Sequence, residues 1–76
     1  LRKENDMAFV AVDKDGTEGI YDQALPYRQD DYWLPNCDKH GESYSHIELP
    51  KGSIRKLIGR ELTWEDDPVE LKGEER

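Results

Sequence analysis

The stretch from Ile47 to Leu71 constrains the fold most, because it holds a helix too short to stand alone. Ile54, Leu57 and Ile58 are spaced i, i+3 and i+4, which places them on one helical stripe. Pro50 suits a first helical turn, having no N–H to lose, and Gly59 suits a left-handed exit. Ser53 is an alternative N-cap that starts the helix three residues later. Either start gives only about two turns, which do not persist in water without a surface to dock on. Beyond Gly59 the period becomes two: Leu62 and Trp64 alternate with Thr63 and Glu65, and Val69 and Leu71 flank Glu70. This predicts strand, interrupted at Asp66-Asp67-Pro68 by a turn, bulge or edge irregularity, since proline cannot donate to a ladder.

The docking surface must come from upstream. Ala8-Phe9-Val10-Ala11-Val12 and the run from Thr17 to Asp22 read as a β-hairpin around Asp13-Lys14-Asp15-Gly16-Thr17. That spacing suits a type I turn with Gly16 at positive φ and the Asp13 carboxylate accepting from the turn backbone. The same residues fail as a calcium loop, because Ala11 would be the first ligand and Asp22 would replace the bidentate Glu. A second turn leads into a short strand at Tyr32-Trp33-Leu34, and His46-Ile47-Glu48-Leu49 alternates as a strand feeding the helix. The expected architecture is α+β: one domain over residues 7–71, with an antiparallel sheet of four to five short strands. One short helix packs on one face through Ile54, Leu57 and Ile58. Candidate core residues are Phe9, Val10 or Ala11, Ile20, Tyr21, Leu25, Trp33, Ile47, Leu49, Leu62, Trp64, Val69 and Leu71 with the helix stripe, and both tryptophans are expected to be substantially buried. Residues 1–6, which precede Met7, read as an appended segment or the end of something longer. They and residues 72–76 are expected to be flexible ends.

Charge narrows the functional classes. The 76-residue chain carries a net charge of −7 and a pI near 4.7, which opposes direct binding to nucleic acid or an anionic membrane surface. A single cysteine cannot form an internal disulfide, and no apolar run is long enough for a membrane span or a signal-peptide core. The expectation is a cytoplasmic protein without a cofactor. Charge is segregated: Lys51, Arg55, Lys56 and Arg60 fall opposite the apolar helix stripe, whereas Glu61, Glu65, Asp66, Asp67 and Glu70 follow with no intervening base.

The basic quartet is therefore the candidate partner-binding face, and no catalytic group stands out. Three functional classes follow: a non-enzymatic interaction module that binds a protein partner or itself, an acidic nucleic-acid mimic that inhibits a DNA-binding protein, and a metal site. The last rests on Cys37, His40 and His46, with Asp38 or water as a fourth ligand; it lacks the second close cysteine pair of common structural zinc sites. Tyr27, Tyr32 and Trp33 could form a stacking platform, but only Arg28 accompanies them, so core packing with one exposed tyrosine is expected.

Taken together, Asp15-Gly16-Thr17, Trp33, the run Ile47-Glu48-Leu49-Pro50-Lys51-Gly52-Ser53-Ile54 through Leu57-Ile58-Gly59, and Leu62-Thr63-Trp64-Glu65-Asp66-Asp67-Pro68-Val69-Glu70-Leu71 resemble small uncharacterised proteins of gut bacteria, their phages and mobile elements. The resemblance spans most of residues 8–71. It implies a small intracellular accessory protein and supplies no active-site residues.

Overall fold

A computed structural model describes residues 7–71; the segments 1–6 and 72–76 lie outside the described residues. The expected hairpin forms from β1 (Ala8–Val12) and β2 (Glu18–Asp22), paired antiparallel with Val10 opposite Ile20. Gly16 closes the turn at φ 92°, donating its N–H to the Asp13 carbonyl. The side-chain bond within the turn comes from Asp15, not Asp13. Asp15 Oδ1 accepts from the Thr17 N–H at 2.9 Å, and the Thr17 N–H and hydroxyl hold the Asp15 carboxyl below its ordinary range.

After β3 (Tyr27–Gln29), β4 (Tyr32–Leu34), β5 (His46–Leu49), α1 (Ser53–Ile58) and β6 (Val69–Leu71), the main sheet has the order β5-β2-β1-β6 with every pair antiparallel. β3 and β4 form a separate two-stranded hairpin. The protein is thus a small α+β fold of three layers: helix, sheet, hairpin. Period-two alternation divides β1 between the outer layers. Val10 and Val12 pack with Ile54 and Leu62 on the helix side, supported by Ile20, Leu49, Ile58, Val69 and Leu71. Ala11 packs with Tyr21 and Trp33 on the hairpin side, supported by Phe9 and Trp64.

Two expectations about the helix region need correction. Leu57 is 51% exposed, while Ile54 is buried and Ile58 half-buried. In a helix of only six residues the contact arc centres on Ile54 and Ile58, and Leu62 of the following segment fills the remaining space. The second correction concerns residues 61–65, which are not a strand. Leu62 joins the helix-side cluster and Trp64 the hairpin-side cluster, so this segment crosses from one layer to the other. It ends in a turn in which Thr63 donates its N–H to Asp66 Oδ2 at 2.8 Å and Asp66 returns its own N–H to the Thr63 carbonyl. Trp64 is consequently half-buried, whereas Trp33 is buried as expected. Leu25 and Ile47, expected in the core, are 52% and 64% exposed.

Polar contacts lock the layers together. Glu18 on β2 reaches the start of α1, where its carboxylate accepts from the Gly52 and Ile54 N–H groups, each at 2.8 Å. Gly52 has no side chain to cap the helix, so the cap comes from a strand distant in sequence. On the other side, Asp13 Oδ1 accepts from the Trp33 N–H at 2.9 Å, and Trp33 Nε1 donates to the Val12 carbonyl at 3.0 Å. The Tyr21 hydroxyl donates to the Trp33 carbonyl at 3.0 Å. Its ring lies over Gly19, where an added Cβ would come within 3.2 Å of Tyr21. Replacing Glu18 by alanine should cost about 2 kcal/mol, because two helix N–H groups lose a charged acceptor together. Urea denaturation measures this directly, and an unchanged midpoint would remove Glu18 as the helix cap.

Candidate interaction surface

The predicted basic helix face is present only in part. Lys51, Arg55, Lys56 and Arg60 are all exposed, but Arg55 pairs with Glu61 at 3.5 Å and Arg60 reaches the Glu61 carbonyl at 3.5 Å. Lys51 bends toward the β1–β2 turn beside Gly16. Neither the Lys51 nor the Lys56 side chain makes an ion pair or hydrogen bond among the described residues. Of the four expected on one helix face, only Arg55 and Lys56 lie within α1; Lys51 precedes it and Arg60 follows it, and Glu61, the first acid after the helix, engages Arg55 and Arg60.

A groove of about 700 Å³ runs between the β1–β2 turn, the helix start and residues 61–65. Two of its carboxylates are already committed, Glu18 to the helix N–H groups and Asp13 to the Trp33 N–H.

The cysteine–histidine segment folds as a small hairpin-like loop. Cys37 bridges Ser43, Tyr44 donates its N–H to the Asn36 carbonyl, and Asp38 Oδ1 accepts from the His40 and Glu42 N–H groups. His46 lies elsewhere, stacked on Tyr21 with ring centroids 5.2 Å apart. Among the described residues no group of three or more His, Cys, Asp or Glu side chains is placed to hold a metal ion, so Cys37, His40 and His46 are not brought together.

The aromatic region holds a contact that sequence reasoning missed. The Arg28 guanidinium lies 4.7 Å from the Trp33 ring centroid and 4.9 Å from that of Trp64, while Nη2 donates to the Trp64 carbonyl. Arg28 stands where nucleic-acid stacking would need an open ring face, and it instead ties the hairpin to the crossing segment. Tyr27 and Tyr32 are both exposed, one more than expected.

A surface with unsatisfied binding capacity is the outer edge of β5. Asp22 donates its N–H to the Ser45 carbonyl. With Ile20 opposite Ile47 and Glu18 opposite Leu49, antiparallel alternation assigns the inward backbone groups to Ser45, Ile47 and Leu49 and turns those of His46 and Glu48 outward. Among the described residues no strand pairs with that edge. The side chains of His46, Ile47 and Glu48 are exposed. Beside them lies a shallow, largely apolar cleft of about 200 Å³ lined by Ala8, Ile20, Asp22, Ser45, His46 and Ile47. The opposite edge differs: β6 spans three of the described residues, and Pro68 directly before it lacks an N–H.

No family model matches the chain, and no curated protein and no solved structure matches it. The resemblance to gut-bacterial and phage proteins stays an expectation from sequence. No helix among the described residues is long and apolar enough to cross a membrane.

Burial, followed by the nearby charge of Asp13, pushes the Tyr21 hydroxyl up to about 12 from an ordinary value of 10.0. Between those values the folded protein keeps a proton that the unfolded chain releases, so the stability this phenol contributes is complete below pH 10 and is lost as pH rises toward 12. Denaturant unfolding followed across this window should show stability falling less steeply in Tyr21→Phe than in the unaltered protein; equal slopes would contradict the assignment.

Proposed function

We propose that this chain is a small, non-enzymatic protein-interaction module whose β5 edge takes up an extended segment of a partner as an additional strand. The observation that carries the reading is the outward backbone of His46 and Glu48 beside the exposed side chain of Ile47, which is 64% accessible. Such an edge offers main-chain hydrogen bonds for affinity, and its alternating side chains supply selectivity. The role is that of a cytoplasmic accessory protein, of phage or mobile-element origin, in keeping with the sequence resemblance.

The basic quartet Lys51, Arg55, Lys56 and Arg60 in and around α1 is a second candidate surface, with less support because Glu61 already engages two of its members. Acidic mimicry of nucleic acid rests on the net charge of −7.

Capture from nuclease-treated host-cell lysate separates these surfaces. Glu48→Pro deletes an outward N–H without removing a bond to β2, so it should abolish recovery of a stoichiometric partner while leaving the circular dichroism spectrum unchanged. Charge reversal of Lys51, Arg55, Lys56 and Arg60 should leave recovery intact. A partner that withstands Glu48→Pro but is lost on charge reversal would move the site to the helix. One released steeply by salt would favour acidic mimicry.

A further inference from the structure

We propose that the strand completing β5 is β5 of a second copy of this chain, giving a two-fold symmetric dimer with a continuous eight-stranded sheet; this rests on the edge reading above. The argument is the self-complementarity of His46-Ile47-Glu48. Only residues whose backbone groups point outward can form bonds across a new edge, and in β5 these are His46 and Glu48. An antiparallel two-fold pairing centred on Ile47 sets His46 of one copy opposite Glu48 of the other, and the symmetry repeats the pair. Both residues form hydrogen-bonded pairs in this register. Each also places an imidazole beside a carboxylate, an opposed-charge or hydrogen-bonded couple of the kind that favours cross-strand pairing. Ile47 then meets Ile47 of the second copy at the axis, in the closer, non-hydrogen-bonded type of pair.

This register covers the apolar surface that the fold leaves open. Ile47 is the most exposed large apolar residue of the described chain. It projects on the helix side of the sheet, with Ile20 across the β2–β5 ladder. The same register sets Leu49 of the second copy opposite Ser45, at the rim of the apolar cleft that Ser45 and Ile47 line. Other placements do less. A one-residue slip would face outward backbone groups with inward ones, and a two-residue slip would oppose His46 to His46 or Glu48 to Glu48 at the axis, losing the charge complement. Among the described residues the β6 edge offers no equivalent, because there Glu70 carries the only outward backbone pair and would meet its own carboxylate on the two-fold axis. A four-residue strand makes a small interface, so the dimer should be a weak one, with a Kd in the micromolar range or above.

Sedimentation velocity on the full chain, from micromolar to millimolar concentration, should show conversion from a species of 8.9 kDa to one of twice that mass. Glu48→Pro should remain monomeric. His46→Glu should weaken association about tenfold by setting two carboxylates against each other at both symmetric positions. Adding Glu48→Lys to that variant should restore association, because the pair is then rebuilt with reversed polarity. Register is read separately by oxidation. In a Cys37→Ser background, Ile47→Cys should give a disulfide-linked dimer, since paired strands bring the two Cα atoms within about 4.5 Å. Ser45→Cys, whose copies lie four residues out of register with each other, should not.

A wild-type chain that stays monomeric at millimolar concentration overturns self-pairing, as does a dimer indifferent to Glu48→Pro or to the charge exchange. These outcomes are distinct from failure of the wider reading. A monomer that still captures another protein in a Glu48-dependent way keeps the β5 edge as the site and changes its occupant; a monomer that captures nothing removes both.

Discussion

Strand β1 is covered on both faces, and this requirement organises the rest of the molecule. A chain of 76 residues ordinarily struggles to bury one core, because small domains keep a large share of their surface in water. Here a single strand serves two. Val10 and Val12 point into the helix side, and Phe9 and Ala11 into the hairpin side. Each face needs its own cover, yet only one helix is available among the described residues. The second cover is therefore the β3–β4 hairpin, with Trp33 as the inserted side chain, and residues 61–65 must pass from one layer to the other so that Leu62 and Trp64 can close opposite sides.

Apolar contacts do not by themselves set the distances between these layers; buried polar groups do. Trp33 illustrates this most fully. Its main-chain N–H, carbonyl and indole N–H are bound by Asp13, Tyr21 and the Val12 carbonyl respectively. The tryptophan can leave its slot only by abandoning three hydrogen bonds beside a hydrophobic cluster, where unsatisfied groups are costly. Glu18 plays the corresponding part for the helix. Six residues of α1 would not hold their shape alone, and the carboxylate from β2 both satisfies the first N–H groups and fixes where the helix lands. Both locks start from the same hairpin, Asp13 just after β1 and Glu18 at the start of β2. The turn that joins β1 to β2 thus sits at the junction of all three layers.

The distinction between local and long-range causes explains what could be read from the sequence. The β1–β2 hairpin, the left-handed exit at Gly59 and the strand before the helix are written in neighbouring residues, through alternation and glycine chemistry. The fold class followed from those signals. The failures share a different origin. Leu57 belongs to the apolar stripe by spacing, but which part of a two-turn stripe touches the sheet is set by Glu18, about thirty-five residues earlier in the chain. Leu62 and Trp64 alternate as a strand would, although they face different layers. Arg28 looked like an isolated cation until Trp33 and Trp64 closed on it from separate segments. Cys37, His40 and His46 lie close in sequence, yet the Asp38-capped turn holds the first two in one loop while Tyr21 holds the third on the sheet. Of the candidate surface, the sequence shows that His46-Ile47-Glu48-Leu49 alternates. It does not show that, among the described residues, β2 is the only neighbour of that strand.

Small sheet proteins commonly defend both borders, since an open row of N–H and C=O groups invites uncontrolled pairing. In this fold the defence is unequal. β6 follows a proline and spans three of the described residues, whereas β5 keeps two outward backbone residues and an exposed isoleucine between them. In the proposed pairing, Glu48 and His46 would not close the edge to every strand but would restrict which strand is acceptable. Under that proposal a segment with an acid opposite Glu48 would be rejected, and one with a base or imidazole there favoured, provided an apolar residue falls between. Selectivity of this kind needs no pocket and no catalytic group. It needs a rigid strand, which β2 supplies through an antiparallel ladder, and that ladder is in turn held in place by the doubly covered strand β1.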